Sequence, residues 1–205
     1  MKANRIVDPV ADPVSLSEAR AHLREPPTED NIYITDLIGA ATAAVESETQ
    51  RSLADQTWEL WLDDFPSTHG EPWWGGARLG SMIELRGRAE RIKLPHGPVQ
   101  SVTSVTIFAR DNTSEIWPAE NYRMQNNYLI KNDDVAWPVV GRTADGVRIE
   151  YVTGFQTVPT DLKQAILLTI ANWFNHREPV LVGDTKALLD RNVAGIIGRY
   201  KEMDL

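Results

Sequence analysis

The chain has 205 residues, of which 42% are hydrophobic and 24% are charged, and its formal net charge is −8. Length and composition predict an ordinary globular protein of one domain or two small ones. The chain contains no cysteine, which excludes disulfides, thiol catalysis and thiolate metal sites. An acidic surface repels phosphate backbones, so tight nonspecific binding of nucleic acid is disfavoured.

Neither a membrane span nor an export signal is apparent in the sequence. The longest apolar stretches, such as Ala165–Ala171, are far shorter than the roughly 20 residues that a membrane span requires. The first residues lack the apolar core of a signal peptide. The sequence therefore predicts no membrane association and a protein that is used without export.

Two helices are predicted in the first 55 residues. Ser15 and Glu18 have the spacing of a capping box at the start of a short helix, which a Pro-Pro pair ends. A longer helix, capped by Thr28 or Asp30, is predicted to extend to about Arg51, because its apolar residues recur every three or four positions.

The middle of the chain has the pattern of a β unit. Near Gln56 the hydrophobic period changes to two, which predicts a strand with one buried face. A stretch rich in Gly and Trp, residues 65–81, is predicted to be a long loop or hairpin tip. Short strands joined by turn residues predict mostly antiparallel pairing. The further predicted strands are residues 83–85, 91–94, 99–109, 128–131 and 147–152.

Helical periodicity returns after Pro159. Thr160 or Asp161 is predicted to cap a helix with a broad apolar surface that extends to about His176. A weaker amphipathic stretch follows over residues 186–200, interrupted by two glycines, and is predicted to fold or dock conditionally rather than to anchor a core. Its apolar residues are Leu188, Leu189, Val193, Ile196 and Ile197.

No motif in the sequence indicates catalysis. The four histidines are not spaced as metal ligands on a helix face, and neither a phosphate-binding glycine motif nor a nucleophile elbow is present. The adjacent pairs Asp63-Asp64 and Asp133-Asp134 are more typical of turns than of metal sites. We therefore predict no enzymatic activity, no cofactor and no metal, and a role in assembly or binding.

Two features favour contact with another protein. The densest basic run contains Arg86 and Arg88 but is interleaved with glutamates, so a salt-bridged strand pair is the first interpretation and a partner contact the second. Trp73 and Trp74 lie in the Gly-rich stretch, where exposed aromatic rings need a cover. That cover is either a neighbouring subunit or a carbohydrate.

The order of the segments resembles the head–tail connector (adaptor) proteins of long-tailed bacteriophages, prophages and gene-transfer agents. Each motif alone is unspecific, but the ordered set covers nearly the whole chain. The matching stretches are PVSLSEARAHLR (13–24), GPVQSVTSV (97–105), Trp137-Pro138, VRIEYVTGF (147–155) and the helix from Pro159 to Arg177-Glu178. The Gly/Trp stretch at 65–80 departs from the family pattern.

The resemblance implies an α+β protein in which an N-terminal helix pair and a C-terminal helix make a ring-forming body around an inserted antiparallel β unit. The implied divisions are residues 1–55, 56–155, 156–185 and a docking segment at 186–205. The ring, usually twelvefold, would lie beneath the portal at the capsid vertex and join it to a tail-side neck or stopper protein. DNA would pass through its axial channel without specific binding, which a negative surface suits. The implied location is the head–tail interface of a virion assembled in the host bacterial cytoplasm.

The resemblance also suggests contact residues and leaves two alternatives open. The portal-docking candidates are Leu188, Leu189, Val193, Ile196, Ile197 and Tyr200, and the candidates for a subunit or tail interface are Trp73, Trp74, Arg86 and Arg88. One alternative is a neck or tail-completion protein farther from the portal. The other is a carbohydrate-binding or hydrolytic accessory protein that uses Trp73, Trp74 and the Asp63-Asp64 pair.

Overall fold

The computed structural model describes residues 1–66, 91–176 and 193–202. It shows a mixed α+β protein, as the sequence predicts, and the chain divides into two compact units. The β unit consists of Met1–Asp8 and Gln56–Thr153, and the helical unit consists of Pro9–Asp55 and Gly154–Leu205. The predicted strand at 83–85 and nearly all of the Gly/Trp stretch lie outside the described residues.

Two antiparallel sheets form the described part of the β unit. The five-stranded sheet has the order β1-β2-β8-β4-β5, and the three-stranded sheet has the order β3-β7-β6. The strands are β1 (Lys2–Val7), β2 (Gln56–Leu62), β3 (Arg91–Lys93), β4 (Val99–Phe108), β5 (Ser114–Ile116), β6 (Tyr122–Gln125), β7 (Tyr128–Lys131) and β8 (Val147–Thr153). The two-residue periodicity thus predicted β2, β3, β4, β7 and β8 but not β1, β5 and β6.

The alternation of apolar residues gives the five-stranded sheet an inner face that is buried. In β8, Ile149 and Tyr151 are completely buried, whereas the residues that alternate with them are half-buried on the other face. The hydroxyl of Tyr151 donates a hydrogen bond to the carbonyl of Pro95 (3.3 Å). Phe65 packs on the rings of Trp117 and Trp137, with centroids 5.8 and 4.7 Å away, and completes this core.

Four helical segments form the described part of the helical unit. They are α1 (Leu16–His22), α2 (Asn31–Thr49), α3 (Thr160–Asn175) and α4, the helical residues 193–200. The capping box of α1 is confirmed, because the Ser15 hydroxyl accepts from the Glu18 amide and the Glu18 carboxylate accepts from the Ser15 amide. None of the described helices combines the length and the apolar character needed to cross a membrane.

The predicted caps of the two long helices are only partly confirmed, because Asp30 is the N-cap residue of α2 but neither Thr160 nor Asp161 caps α3. Thr28–Asp30 forms a 3-10 turn, and Asp30 occupies the N-cap position of α2 without a side-chain capping bond. Pro159, rather than Thr160 or Asp161, is the N-cap of α3, and its carbonyl accepts from the Leu162 amide (3.0 Å). In both places a proline carbonyl accepts the first amide: Asp30 donates to Pro27 (3.2 Å) in the 3-10 turn, and Leu162 donates to Pro159 in α3.

The apolar stripes of α2 and α3 pack against each other in the core of the helical unit. Both helices contribute side chains that are at most 2% exposed: Ile34, Ile38, Ala41, Val45, Leu162, Ala165, Ile166 and Ile170. Ala19 of α1 and Leu53 are part of the same cluster. The predicted periodicity therefore identifies the faces that meet.

Candidate interaction surfaces

Three of the carboxylates and imidazoles that the sequence singles out have structural roles. Asp63 accepts a hydrogen bond from the Asp145 amide (3.1 Å), and Asp64 accepts one from the Phe65 amide (2.8 Å). The ring of His96 stacks on Trp58 at a centroid distance of 3.9 Å. Within residues 1–66, 91–176 and 193–202, no group of three or more His, Asp or Glu could hold a metal ion.

The C-terminal helix α4 packs on the core of the helical unit. Val193, Ile196 and Tyr200 are partly buried against the cluster that α2 and α3 share. Ile197 lines a cavity beside them. Three of the predicted docking residues therefore pack on their own chain and a fourth, Ile197, lines the cavity, whereas Leu188 and Leu189 lie outside the described residues.

Polar contacts attach the end of α4 to the same unit. The Arg51 guanidinium donates a hydrogen bond to the carbonyl of Tyr200, and the Glu202 amide donates one to the carbonyl of Thr49 (3.0 Å). Arg199 and Asp161 form an ion pair at 3.1 Å in which both side chains are about half exposed. Such an exposed pair contributes at most about 1 kcal/mol.

The groove that receives α4 is incompletely filled. A cavity of about 550 Å³ remains among α2, α3 and α4, a volume within the range of small-molecule pockets. The cavity is lined by Ala44, Val45, Glu48, Leu168, Thr169, Asn172, Trp173, Val193, Ala194, Ile197, Gly198 and Lys201.

Two glycines weaken α4 without serving its packing. A Cβ added at Gly195 or Gly198 would meet no atom within 4 Å, so close approach within the described chain does not require either glycine. Each glycine in a helix interior costs about 1 kcal/mol relative to alanine. Among the described residues, α4 therefore combines partly buried apolar side chains with an exposed backbone face at Gly195 and Gly198.

A second surface, on the β unit, was not identified from the sequence. We call it the outer sheet face and define it by Trp61, Phe108, Arg142 and Arg148. The Trp61 and Phe108 rings stack with centroids 5.6 Å apart, Arg148 lies over Trp61 (5.7 Å) and Arg142 over Phe108 (5.0 Å). The residues that the sequence did predict for a subunit or tail interface, Trp73, Trp74, Arg86 and Arg88, lie outside the described residues.

Comparisons with known proteins identify the fold. No protein-family model and no curated protein matches the sequence. The structure is similar to a chain from the neck of an empty gene transfer agent (GTA) particle computed with C6 symmetry: the TM-score is 0.76, the identity 19%, and the match covers 100% of this chain and 97% of that chain.

Two further solved chains have the same fold. One belongs to the virion of a native GTA particle, with a TM-score of 0.76, 19% identity and coverage of 100% and 97%. The other belongs to the neck of a native GTA particle computed with C12 symmetry, with a TM-score of 0.69, 20% identity and the same coverage. The shared fold therefore extends over essentially the whole of both chains.

Proposed function

We propose that this chain is a structural subunit of a phage-like neck, which forms a ring adaptor between the portal and the tail. The observation that carries the proposal is the fold shared over 100% of the chain with GTA neck chains, from necks computed with C6 and C12 symmetry. A twelvefold ring is the expected stoichiometry. Head-to-tail contacts between identical subunits generate such closed rings.

The C-terminal segment, residues 186–205, is the proposed portal-docking element. Its described part contains no fully buried residue, and Ala194, Gly195 and Gly198 are exposed. The glycine face allows the backbone of a partner to approach closely. Helix-in-groove docking is a common way for an amphipathic segment of this kind to bind a partner.

The charge of the chain fits a conduit for DNA. The net charge is −8, and like charge keeps DNA from adhering to the wall of an axial channel. On this proposal the subunit is assembled in the host bacterial cytoplasm, resides at the head–tail interface of the virion, and contacts a tail-side neck or stopper protein on the side away from the portal. It performs no catalysis and requires no cofactor.

The test is the mass of the purified chain, alone and with its cognate portal protein, by size exclusion coupled to light scattering. We expect a ring-sized species, either from the chain alone or in complex with the portal. Deletion of residues 186–205 is expected to abolish portal association and to leave the remaining fold intact by circular dichroism. A 23.0 kDa monomer that is indifferent to the portal would contradict the proposal.

A neck protein farther from the portal is the second candidate, because the similar chains belong to GTA necks, which extend beyond the ring that contacts the portal. It would also form a ring. The same experiment separates the two: a ring that binds a tail-side protein but not the portal supports the second candidate. The carbohydrate-binding alternative depends on Trp73 and Trp74, and it predicts glycan binding that is lost when both are replaced by alanine.

A further inference from the structure

The outer sheet face presents an organised surface of aromatic rings and cations. Trp61 of β2 lies opposite Lys2 of β1 on one side and Arg148 of β8 on the other. Arg148 in turn lies opposite Thr106 of β4. Thr106 lies opposite Ile116 of the edge strand β5. Directly opposite residues of antiparallel strands project from the same side of the sheet.

This face is not the face that forms the core of the β unit. The residues that alternate with Trp61 and Phe108, Leu60 and Ile107, belong to the buried cluster, whereas Trp61 and Phe108 are half-buried. Ile116 remains 67% exposed. The face therefore combines two large rings and an exposed aliphatic side chain with cations on three sides.

The backbone fixes the position of Arg142. The carbonyl of Phe108 accepts hydrogen bonds from the amides of Gly141 (3.1 Å) and Arg142 (3.3 Å), which holds Arg142 beside the ring. A Cβ at Gly141 would lie 2.6 Å from the Arg110 nitrogen, so only glycine fits there. The Nε of Arg148 is buried and has no hydrogen-bond partner among the described residues.

Two carboxylates, Glu59 and Glu150, lie in the row of opposite residues next to the one that contains Trp61. Glu59 accepts hydrogen bonds from its neighbours. Burial works to raise the pKa of Glu59, but hydrogen bonds from Trp61 and Asn4, together with the charges of Arg148 and Lys2, hold that pKa below its ordinary value. Glu59 thus remains ionised and fixes the orientation of the Trp61 ring. Glu150 lies opposite Glu59 in the same row. The row that contains Lys2, Trp61 and Arg148 carries two cations and no carboxylate.

The helical unit carries the complementary chemistry. Residues 25–50 contain 6 carboxylates and no Lys or Arg. Ile32 is 78% exposed near the start of α2, and Asp36 lies one turn later on the same face, where residues spaced by four are neighbours. Glu29 and Asp36 are exposed, and no ion pair engages either of them within the described residues. We call this group, Glu29, Ile32 and Asp36, the acidic α2 face.

We propose that the outer sheet face of one copy binds the acidic α2 face of a second copy. The inference rests on the proposed ring and identifies its subunit contact: exposed Ile32 packs on the apolar side chains of the sheet, and Glu29 and Asp36 approach Lys2 and Arg142. Charge complementarity favours this occupant, since one face is cationic and aromatic and the other acidic. The two faces differ, so the contact is heterologous and propagates from copy to copy, as a closed ring requires.

Charge reversal tests the contact by measuring assembly. The sheet variant Lys2→Glu/Arg142→Glu and the helix variant Glu29→Lys/Asp36→Lys are each expected to reduce ring formation at least tenfold in light scattering or native mass spectrometry. An equimolar mixture of the two variants is expected to restore rings of alternating subunits, because each interface then joins opposite charges. The variant with all four substitutions is expected to assemble alone.

Controls separate this contact from the ring itself. Arg24→Glu/Arg123→Glu makes the same charge change as the sheet variant at exposed positions outside both faces and is expected to assemble like the unaltered chain. If the unaltered chain forms no ring, with or without the portal, the proposed function fails. If rings form and the two face variants assemble normally, or lose only portal binding, the contact is wrong and the ring remains.

Cysteine cross-linking gives a second readout at high protein concentration. The chain has no cysteine, so Ile32→Cys/Ile116→Cys introduces the only two thiols, one on each proposed face. Oxidation is expected to join copies into a covalent ladder of dimers, trimers and higher species. The pair Ile32→Cys/Val139→Cys, in which Val139 is 94% exposed and outside the sheet face, is expected to remain largely monomeric. Equal ladders from both pairs would overturn the proposed contact.

Discussion

The helices α3 and α4 belong to the same unit, carry apolar residues at helical spacing and pack on the same cluster, yet they are built differently. In α3, Leu162, Ala165, Ile166 and Ile170 are completely buried. In α4 no described residue is buried, two glycines occupy exposed positions, and a cavity of about 550 Å³ lies beside it. The comparison shows that similar patterning produces a fully buried stripe in one helix and only partial burial in the other.

Truncation of one apolar side chain in each helix, buried in α3 and partly buried in α4, should give the largest difference. Ile166→Ala is expected to cost about 2–5 kcal/mol of unfolding free energy, because the tightly packed site leaves a cavity. Ile197→Ala is expected to cost less than about 1 kcal/mol, because Ile197 already borders a void. Urea denaturation followed by circular dichroism measures both. Similar losses for the two variants would contradict the comparison.

Replacing the glycines of α4 should strengthen the helix and weaken its proposed docking. Gly195→Ala/Gly198→Ala is expected to stabilise α4 by about 2 kcal/mol in total, since neither new Cβ meets an atom. Portal association is expected to fall, because the methyl groups keep the partner backbone away. Gly39→Ala in α2, where a Cβ also meets nothing, is the matched control and should leave portal association unchanged. Unchanged binding by the double variant would show that the glycine face is not used.

The short helix α1 provides a contrast with α4, because a capping box fixes its start. Ser15→Ala is expected to cost about 1 kcal/mol, measured by urea denaturation. The hydrogen bonds from the Ser15 backbone and side chain hold the pKa of Glu18 below its ordinary value of 4.5, with Lys163 adding to the effect.

The same cap should give a small dependence of stability on pH. A carboxylate whose pKa is lowered by folding contributes stability above its unfolded pKa and loses it as the pH falls through the folded value. Stability is therefore expected to fall below about pH 4.5, and Glu18→Gln should make that fall shallower. An identical pH profile for the variant would show that the capping carboxylate contributes nothing.

Loss of the surface ion pair of α4 should have the smallest effect. Arg199→Ala removes the 3.1 Å pair with Asp161 and is expected to change the unfolding free energy by less than about 1 kcal/mol. Thermal denaturation at low and high salt checks this result. A larger loss that salt abolishes would mean that electrostatics, rather than the apolar contacts, attaches α4.

Sequence periodicity predicted the elements whose buried faces are long and regular. The stripes of α2 and α3 and the alternation in β8 are visible in a single sequence because each repeats over two or more turns or over seven residues. β1 was missed because Lys2–Val7 carries polar and charged residues and pairs with β2, more than fifty positions away. Its Asn4 donates a hydrogen bond to Glu59 (3.1 Å), a contact without a local signal.

The interaction surfaces were predictable only in part. The amphipathic pattern at residues 186–200 indicated a conditional helix but not that Val193, Ile196 and Tyr200 pack on their own chain. The outer sheet face was missed because alternation shows that two faces differ without showing which rings and cations from separate strands come together. Trp61, Phe108 and Arg148 lie on three different strands, and only their register unites them.

The most direct test of the account is amide hydrogen exchange of residues 193–200, measured in the purified chain and again with the portal protein. In the chain alone, α4 is expected to exchange at least tenfold faster than α3, because none of its described residues is fully buried. Portal binding is expected to slow exchange in α4 while leaving α3 unchanged. Protection of α4 equal to that of α3 in the free chain, with no change on portal addition, would contradict the account of a lightly held docking helix.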